Sequence, residues 1–342
     1  MALEPEIFGP YRVLRSLAPG GMARVSLAVE ELFEGVERLV VLKRLSPERR
    51  SDEEYVTMFF DEVRLLSTLN HPGVPQVFAA GTIGVEPYIA LEYIPGASLM
   101  ELLAAAHGRG QRLPEAEALS ILRSLAETLA YVHGATDEYG RSLRMVHRDV
   151  TPANVLVGVN GTVKLIDFGI ARGEARIYQT STGVLKGTLG YMAPEQLIEG
   201  EPGDHRVDIF SFGVVLYEAL VGAHPFQAAD ALELHRKIHE VRCVPPRTAR
   251  PELSQPLCDL IAACLARRPD DRPSHMWEVA ARLRDVLVQS AGVPLGAEVG
   301  ALPRELLSDS SPATAGEGSG APPAPEEDWV TQVDPRRQRR PR

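Results

Sequence analysis

The sequence predicts an α+β protein of two lobes, a small strand-rich one with a single helix and a larger, mainly helical one. Three observations carry this. Residues 11–93 hold short β-like runs rich in Val, Leu and Tyr, residues 98–288 hold long stretches with apolar residues at helical spacing, and the pattern switches only once. At 342 residues there is room for two domains, or one large two-lobed domain and a tail, at roughly 100–200 residues per domain.

In chain order, strands are expected at Tyr11–Leu17, Val25–Val29, Arg38–Leu45, Val74–Ala79 and Tyr88–Tyr93, with one helix, Phe59–Leu69, among them. Pro114 opens a helical stretch to His133, Val207–Val221 is strongly apolar, and Leu253–Leu265 and His275–Val288 are amphipathic. A small β region, Asn154–Val157 and Val163–Ile166, lies between them. A ligand is expected in the cleft where such lobes meet. From Gln289 to Arg342 the chain holds eight prolines and six glycines, and Leu or Ile is absent after Leu307. This segment is expected to be disordered, because it has too little apolar surface to offset its ordering entropy.

Hydrophobic residues make up 44% and charged residues 24%, which excludes wholesale disorder and fibrous repeats. Lys plus Arg is 36 against 46 for Asp plus Glu, a net charge of −10, so nucleic acid is not an expected partner. Cys243, Cys258 and Cys264 form no C-x-x-C pair and are read as reduced, mostly buried thiols of a cytoplasmic protein. Glu4 and Glu6 stand where a signal peptide would carry cations. No run reaches the ~18 apolar residues of a membrane span, the best one, Phe212–Ala223, being broken by Glu218.

Three polar clusters stand in the order that phosphoryl transfer needs. The first is LAPGGMARV, Leu17–Val25, between two expected strands. Such a hairpin can lay backbone N–H groups over phosphates, although by itself it is equally an ordinary Pro-Gly-Gly turn. No Gly-Lys-Ser/Thr follows, so it is not a Walker A loop. The second is Lys43, at the end of LVVLK, with Glu62 on the following helix as its ion-pair candidate. The third is HRDVTPAN, His147–Asn154, followed by KLIDFG, Lys164–Gly169. An Asp, an Asn five residues on and an Asp ending a strand can supply a base and two hard oxygen ligands of the kind Mg²⁺ takes together with phosphates.

With GTLGYMAPE (Gly187–Glu195), VDIFSFGVVLYEAL (Val207–Leu220) and RRPDDRPS (Arg267–Ser274), the chain resembles the eukaryotic-type (Hanks-type) protein Ser/Thr kinases, and bacterial members most. The resemblance implies the two-lobed protein-kinase fold over 8–288, with an N-lobe of about 8–92 and a C-lobe of about 93–288. It implies a γ-phosphate transfer from ATP, with Mg²⁺ or Mn²⁺, to Ser/Thr hydroxyls of protein substrates, autophosphorylation included. By the same resemblance Lys43 holds the α- and β-phosphates and pairs with Glu62, Asp149 orients the substrate hydroxyl and takes its proton, and Asn154 and Asp167 bind the metal. Leu17, Ala18, Gly20, Gly21 and Ala23 form the loop over the phosphates. Val25, Val41 and Leu156 sandwich the adenine, and Glu92 and Tyr93 form the hinge after the gatekeeper Leu91. Glu195 and Arg272 form a buried ion pair that anchors the substrate-binding segment, where Thr188 marks Ser/Thr over Tyr selectivity. Leu66, Val77, His147 and Phe168 stack between the lobes, a placement that plain core packing explains equally well.

The departures from the family pattern matter. At the spacing G-x-G-x-x-G the glycine positions hold Ala18, Gly20 and Ala23, which restricts φ > 0 in the loop. Thr151 stands where Ser/Thr kinases commonly carry a lysine near the γ-phosphate. Losing one charge-assisted hydrogen bond costs about 1.5–3 kcal/mol, or roughly 10–150-fold in rate. The connection Gly134–Arg144 is longer than usual and is expected at the surface. The competing reading is a pseudokinase scaffold, which the presence of Lys43, Glu62, Asp149, Asn154 and Asp167 disfavours.

Regulation is expected in the loop between Gly169 and Glu195, where Thr180 and Thr182 are phosphorylation candidates and Arg148 the receiving cation. In the tail, EEDWVTQVD places Thr331 three residues before Asp334. That T-x-x-D form resembles ligands of forkhead-associated phosphothreonine-binding domains, while loose packing of Trp329 on the kinase body is the blander account. His235 and His239 sit four apart, but Arg236 replaces the Glu of H-E-x-x-H, so a solvated helix face is expected there.

Overall fold

The computed structural model describes residues 6–18, 22–168, 189–198, 203–289 and 296–307. Its small lobe is an antiparallel sheet of β1 (Ile7–Phe8), β2 (Tyr11–Ala18), β3 (Ala23–Phe33), β4 (Val36–Leu45), β5 (Val77–Ile83) and β6 (Glu86–Glu92), in the order β1-β2-β3-β4-β6-β5. The fifth strand begins three residues later than Val74, after Pro75, which has no N–H to give a ladder. Helix α1 (Glu53–Thr68) crosses between β4 and β5. Asp52 caps it by accepting the Glu54 N–H at 3.1 Å, and Glu53 and Glu54 add charge that suits a helix N-terminus. Its buried stripe runs Tyr55, Phe59, Glu62, Leu66. A carboxylate in the third position of an otherwise apolar stripe needs a partner.

The large lobe holds α2 (Leu99–Gly108), α3 (Glu115–His133), α4 (Arg206–Val221), α5 (Ala231–Glu240), α6 (Pro246–Ala249), α7 (Gln255–Cys264), α8 (Met276–Gln289) and α9 (Gly296–Leu307). A second antiparallel sheet, β7 (Gly96–Ser98), β8 (Val155–Gly158) and β9 (Val163–Leu165), lies at the junction with the small lobe. Every residue of α4 except Arg206 and Glu218 is buried, so this helix is the axis of the core rather than a one-sided amphipath. Cys258 and Cys264 are buried in that core, and all three cysteines are free thiols. The 134–144 connection is a surface turn in which Asp137 accepts the N–H groups of Tyr139 and Arg141, both at 2.9 Å. Among the described residues, no helix is long and apolar enough to cross a membrane.

One expectation is corrected. Residues 296–307, assigned from composition to a disordered tail, form α9, which buries Val299 and Leu302 and half-buries Leu306 and Leu307. Composition alone missed it because these few apolar residues are covered by the lobe, not by each other. Residues 290–295 and 308–342 lie outside the described residues.

Candidate active site

Lys43 enters the cleft from β4, paired in register with Val25 on β3 and Ile89 on β6. Its Nζ donates to both Glu62 oxygens, at 2.7 and 2.9 Å, and to Asp167 Oδ1 at 3.1 Å. The expected partner from α1 is therefore in place, and a carboxylate from the large lobe joins it. Burial pulls the Lys43 pKa down, but the charges of Asp167 and Glu62 outweigh it and hold the ammonium above its ordinary value. This three-group bridge ties the lobes together.

On the opposite wall, the segment 147–154 is suspended from Asp208 in the first turn of α4. Asp208 is fully buried; its Oδ2 accepts the His147 N–H and its Oδ1 the Arg148 N–H, both at 2.7 Å. His133 Nε2 lies 2.8 Å from Oδ2. Burial raises the Asp208 pKa, but the His133 contact and the other donors more than offset that, so it stays ionised. His147 Nδ1 accepts the Asp149 N–H at 3.2 Å, so Nε2 carries the proton and donates to Ile166 O at 3.1 Å. Complete burial lowers the His147 pKa and favours this neutral form. Asn154 Nδ2 donates to both the carbonyl and Oδ2 of Asp149, at 2.9 Å each, which orients the carboxylate. Arg148 and Asp167 have φ of 65° and 54°, left-handed conformations that cost about 1–3 kcal/mol each and persist only where their surroundings impose them.

Val25, Val41 and Leu156 are all half-buried, Leu91 pairs in register with Val41 and Val77, and Tyr93 is half-buried at the end of the strand. Glu92 turns its carboxylate toward the large lobe, accepting from Lys164 Nζ at 2.8 Å and from the Gln76 N–H at 3.1 Å, while Lys164 also reaches Val74 O at 3.1 Å. Leu17 is half-buried and Ala23 buried, Ala18 ends β2, and Gly20 and Gly21 lie outside the described residues. Leu66 and Phe168 share one apolar cluster with Val77 packed on it, and the His147 and Phe168 rings are 4.7 Å apart. The four stacking residues thus meet.

Arg272 and Glu195 form a two-bonded pair, Nη1 to Oε1 at 2.6 Å and Nη2 to Oε2 at 2.8 Å, with the guanidinium fully buried. Thr151 is buried beside the base. Among the described residues Arg148 Nε is buried without a hydrogen-bond partner. Thr180, Thr182, Thr188 and Thr331 lie outside the described residues. His235 and His239 share a surface recess with Asp230, Leu232, Glu233 and Arg236, and no group of three His, Cys, Asp or Glu among the described residues could hold a metal ion.

Sequence reasoning did not single out Asp208 or Lys164 as individual residues. The signal for Asp208 was an acid within the first turn of an otherwise apolar helix. Lys164 offered none beyond its place in KLIDFG. The donor set fits a magnesium nucleotide. The Asn154 amide NH₂ is committed to Asp149, which turns its carbonyl oxygen away as an acceptor, and Asp167 adds a carboxylate, the hard oxygens Mg²⁺ prefers.

Comparison with known proteins agrees with this geometry. A family model described as "Protein kinase domain" matches residues 11–283. The chain is 38% identical over 294 residues to Tyrosine-protein kinase MasK of Myxococcus xanthus, covering 85% of this chain and 45% of that one. It is 34% identical over 282 residues to Serine/threonine-protein kinase PknL of Mycobacterium tuberculosis, covering 82% and 66%. It therefore spans between about half and two thirds of the length of these relatives. The solved kinase domain of Mycobacterium tuberculosis PknI superposes with a TM-score of 0.60 at 27% identity, covering 83% of this chain and 99% of that one.

Proposed function

The chain belongs to the protein kinase family, and from that premise we propose that it is an ATP-dependent protein serine/threonine kinase that also phosphorylates itself. The observation that carries the reading is the bridge from Lys43 to both Glu62 and Asp167, because it assembles in one place the cation and the carboxylates that a phosphate and its metal require. Bound MgATP supplies the phosphoryl group and the metal charge that offsets its oxygens. Lys43 holds phosphate oxygens, with Glu62 fixing its ammonium. Asn154 and Asp167 present oxygens to the metal, and Val25, Val41 and Leu156 exclude water around the base. Asp149, oriented by Asn154, accepts the proton of the incoming hydroxyl at its carboxylate.

The acceptor is a Ser or Thr hydroxyl in this reading. Tyrosine is the second reading, favoured by Thr151 in the position where Ser/Thr kinases commonly carry a lysine and by the name MasK bears. The protein works where ATP is plentiful, in the cytoplasm, on protein substrates. Thr331, once phosphorylated, is a candidate ligand for a forkhead-associated domain, and a peptide spanning Glu326–Arg337 should bind such a domain only in its phosphorylated form. Radiolabelled autophosphorylation followed by phosphoamino-acid analysis tests the main reading. Wild type should yield phosphoserine or phosphothreonine and Asp149→Asn nothing. Phosphotyrosine alone would select the second reading, and no product from wild type would leave a scaffold.

A further inference from the structure

Helix α9 begins beyond residue 283, where the family match ends, and it packs on α2, β7, β8 and α3 rather than standing away from the lobe. Its contact with the β8–β9 turn is backbone against backbone. Gly161, at φ 83°, lies so close to α9 that a Cβ there would sit 1.9 Å from Gly296 O. A Cβ on Gly300 would meet Gly161 N and Val159 O, each at 2.6 Å. Arg109, just past the end of α2, closes the other end by donating from Nη2 to the Glu305 and Leu306 carbonyls at 3.0 Å each. These are carbonyls that a helix C-terminus leaves unpaired.

The same turn is joined to the nucleotide cleft. Val159 N–H donates to Pro95 O at 2.9 Å, and a Cβ on Gly158 would lie 3.3 Å from Ile94 Cγ2. Pro95 and Ile94 follow directly on Glu92 and Tyr93. Gly96 leaves even less room, since its Cβ would fall 2.0 Å from Val157 O. Val157 neighbours Leu156 on β8. An unbroken run of tight contacts therefore leads from Gly300 through the 158–161 turn to both the adenine floor and the hinge. A helix of twelve residues is marginal by itself in water, so α9 forms as it docks.

We propose that α9 is a docked clamp whose seating on the 158–161 turn holds the nucleotide cleft in its binding form, so that nucleotide affinity and α9 docking are coupled. The coupling acts through β8 and the hinge, and α9 touches neither nucleotide nor metal. It rests on the reading of the cleft as a nucleotide site. By linkage the effect is reciprocal: nucleotide binding stabilises α9 by the same factor that α9 strengthens binding.

Two measurements on the full chain test it, with ADP·Mg²⁺ as the probe. In wild type, saturating ADP·Mg²⁺ should slow hydrogen exchange of the 297–307 amides about five-fold or more, at the low end of ordinary coupling. In Gly300→Val, whose added methyls cannot fit against Val159 and Gly161, titration calorimetry should show ADP·Mg²⁺ binding weakened by a similar factor. Arg109→Ala should weaken it in the same direction. Unchanged exchange of α9 in nucleotide-saturated wild type overturns the proposal, and this holds whether or not either variant folds. So does unchanged affinity in a folded Gly300→Val whose α9 amides exchange faster. Failure of wild type to bind ADP·Mg²⁺ would instead overturn the nucleotide site itself, and the clamp with it.

Discussion

The buried carboxylate of Asp208 accepts the backbone N–H of Arg148 at 2.7 Å, and Arg148 holds a left-handed φ of 65°. The two facts belong together. A non-glycine residue keeps that conformation when its surroundings impose it, and here an ionised side chain from α4 also binds the preceding N–H of His147. The loop carrying Asp149 is thus shaped by a residue sixty positions away that touches no reacting atom.

Replacing Asp208 by Asn should loosen that loop. The amide offers one acceptor where two N–H groups converge, and its NH₂ would face the other. Losing one hydrogen bond to a charged group costs about 1.5–3 kcal/mol. Asp208→Asn is expected to lower kcat at least about ten-fold while native-like circular dichroism is kept. Unaltered kcat would show that the loop does not need this anchor.

Lys43→Met and Asp167→Asn should each abolish most phosphoryl transfer, because both residues act on phosphate or metal. Both variants should still fold, with Lys43→Met melting lower because it leaves the buried Glu62 carboxylate without its cation. Steady-state kinetics alongside thermal melting separates the two effects. Near-wild-type turnover in either variant would refute the cleft assignment.

The Arg272–Glu195 pair should be costly to break on one side. Arg272→Ala leaves a buried carboxylate without its partner, a loss of about 3–5 kcal/mol. The double variant Arg272→Met/Glu195→Leu should recover a good part of that, since no buried charge is left. Urea unfolding of both would tell, and a single variant within about 1 kcal/mol of wild type would contradict it.

Stability should fall on mild acidification. Burial lowers the His224 pKa from 6.5 to about 4, so the folded chain keeps this ring neutral while the unfolded chain protonates it. The contribution is fully present above pH 6.5 and is lost as pH falls toward 4. Between pH 7.5 and 5 it amounts to about 2 kcal/mol, and the lowered pKa of His147 acts in the same direction. Urea midpoints at the two pH values should differ less in His224→Gln than in wild type. Equal differences would remove His224 from the account.

Activation should depend on Thr180 and Thr182. Arg148 Nε has no partner among the described residues, which suits a guanidinium that receives a phosphate of about −1.5 to −2 charges. The Thr180→Ala/Thr182→Ala double variant is expected to lose specific activity, and phosphopeptide mass spectrometry of wild type should find at least one of the two modified. Unchanged specific activity would retire the mechanism.

The two-lobed α+β class and the residues that meet in the cleft were legible in the one-dimensional pattern. Strand and helix periods differ, and HRDVTPAN, KLIDFG and LVVLK put chemically specific side chains at spacings that local structure keeps constant. The period of a helix tells which face is covered but not by what. That is why composition assigned 296–307 to a disordered tail: Val299 and Leu302 find their cover on α2 and β8, far back in the chain. For the same reason Asp208 under His147, Lys164 against Glu92 and Gly300 against Gly161 came only from the tertiary structure. Each joins groups some sixty or more positions apart, and only packing brings such groups to hydrogen-bond or van der Waals distance.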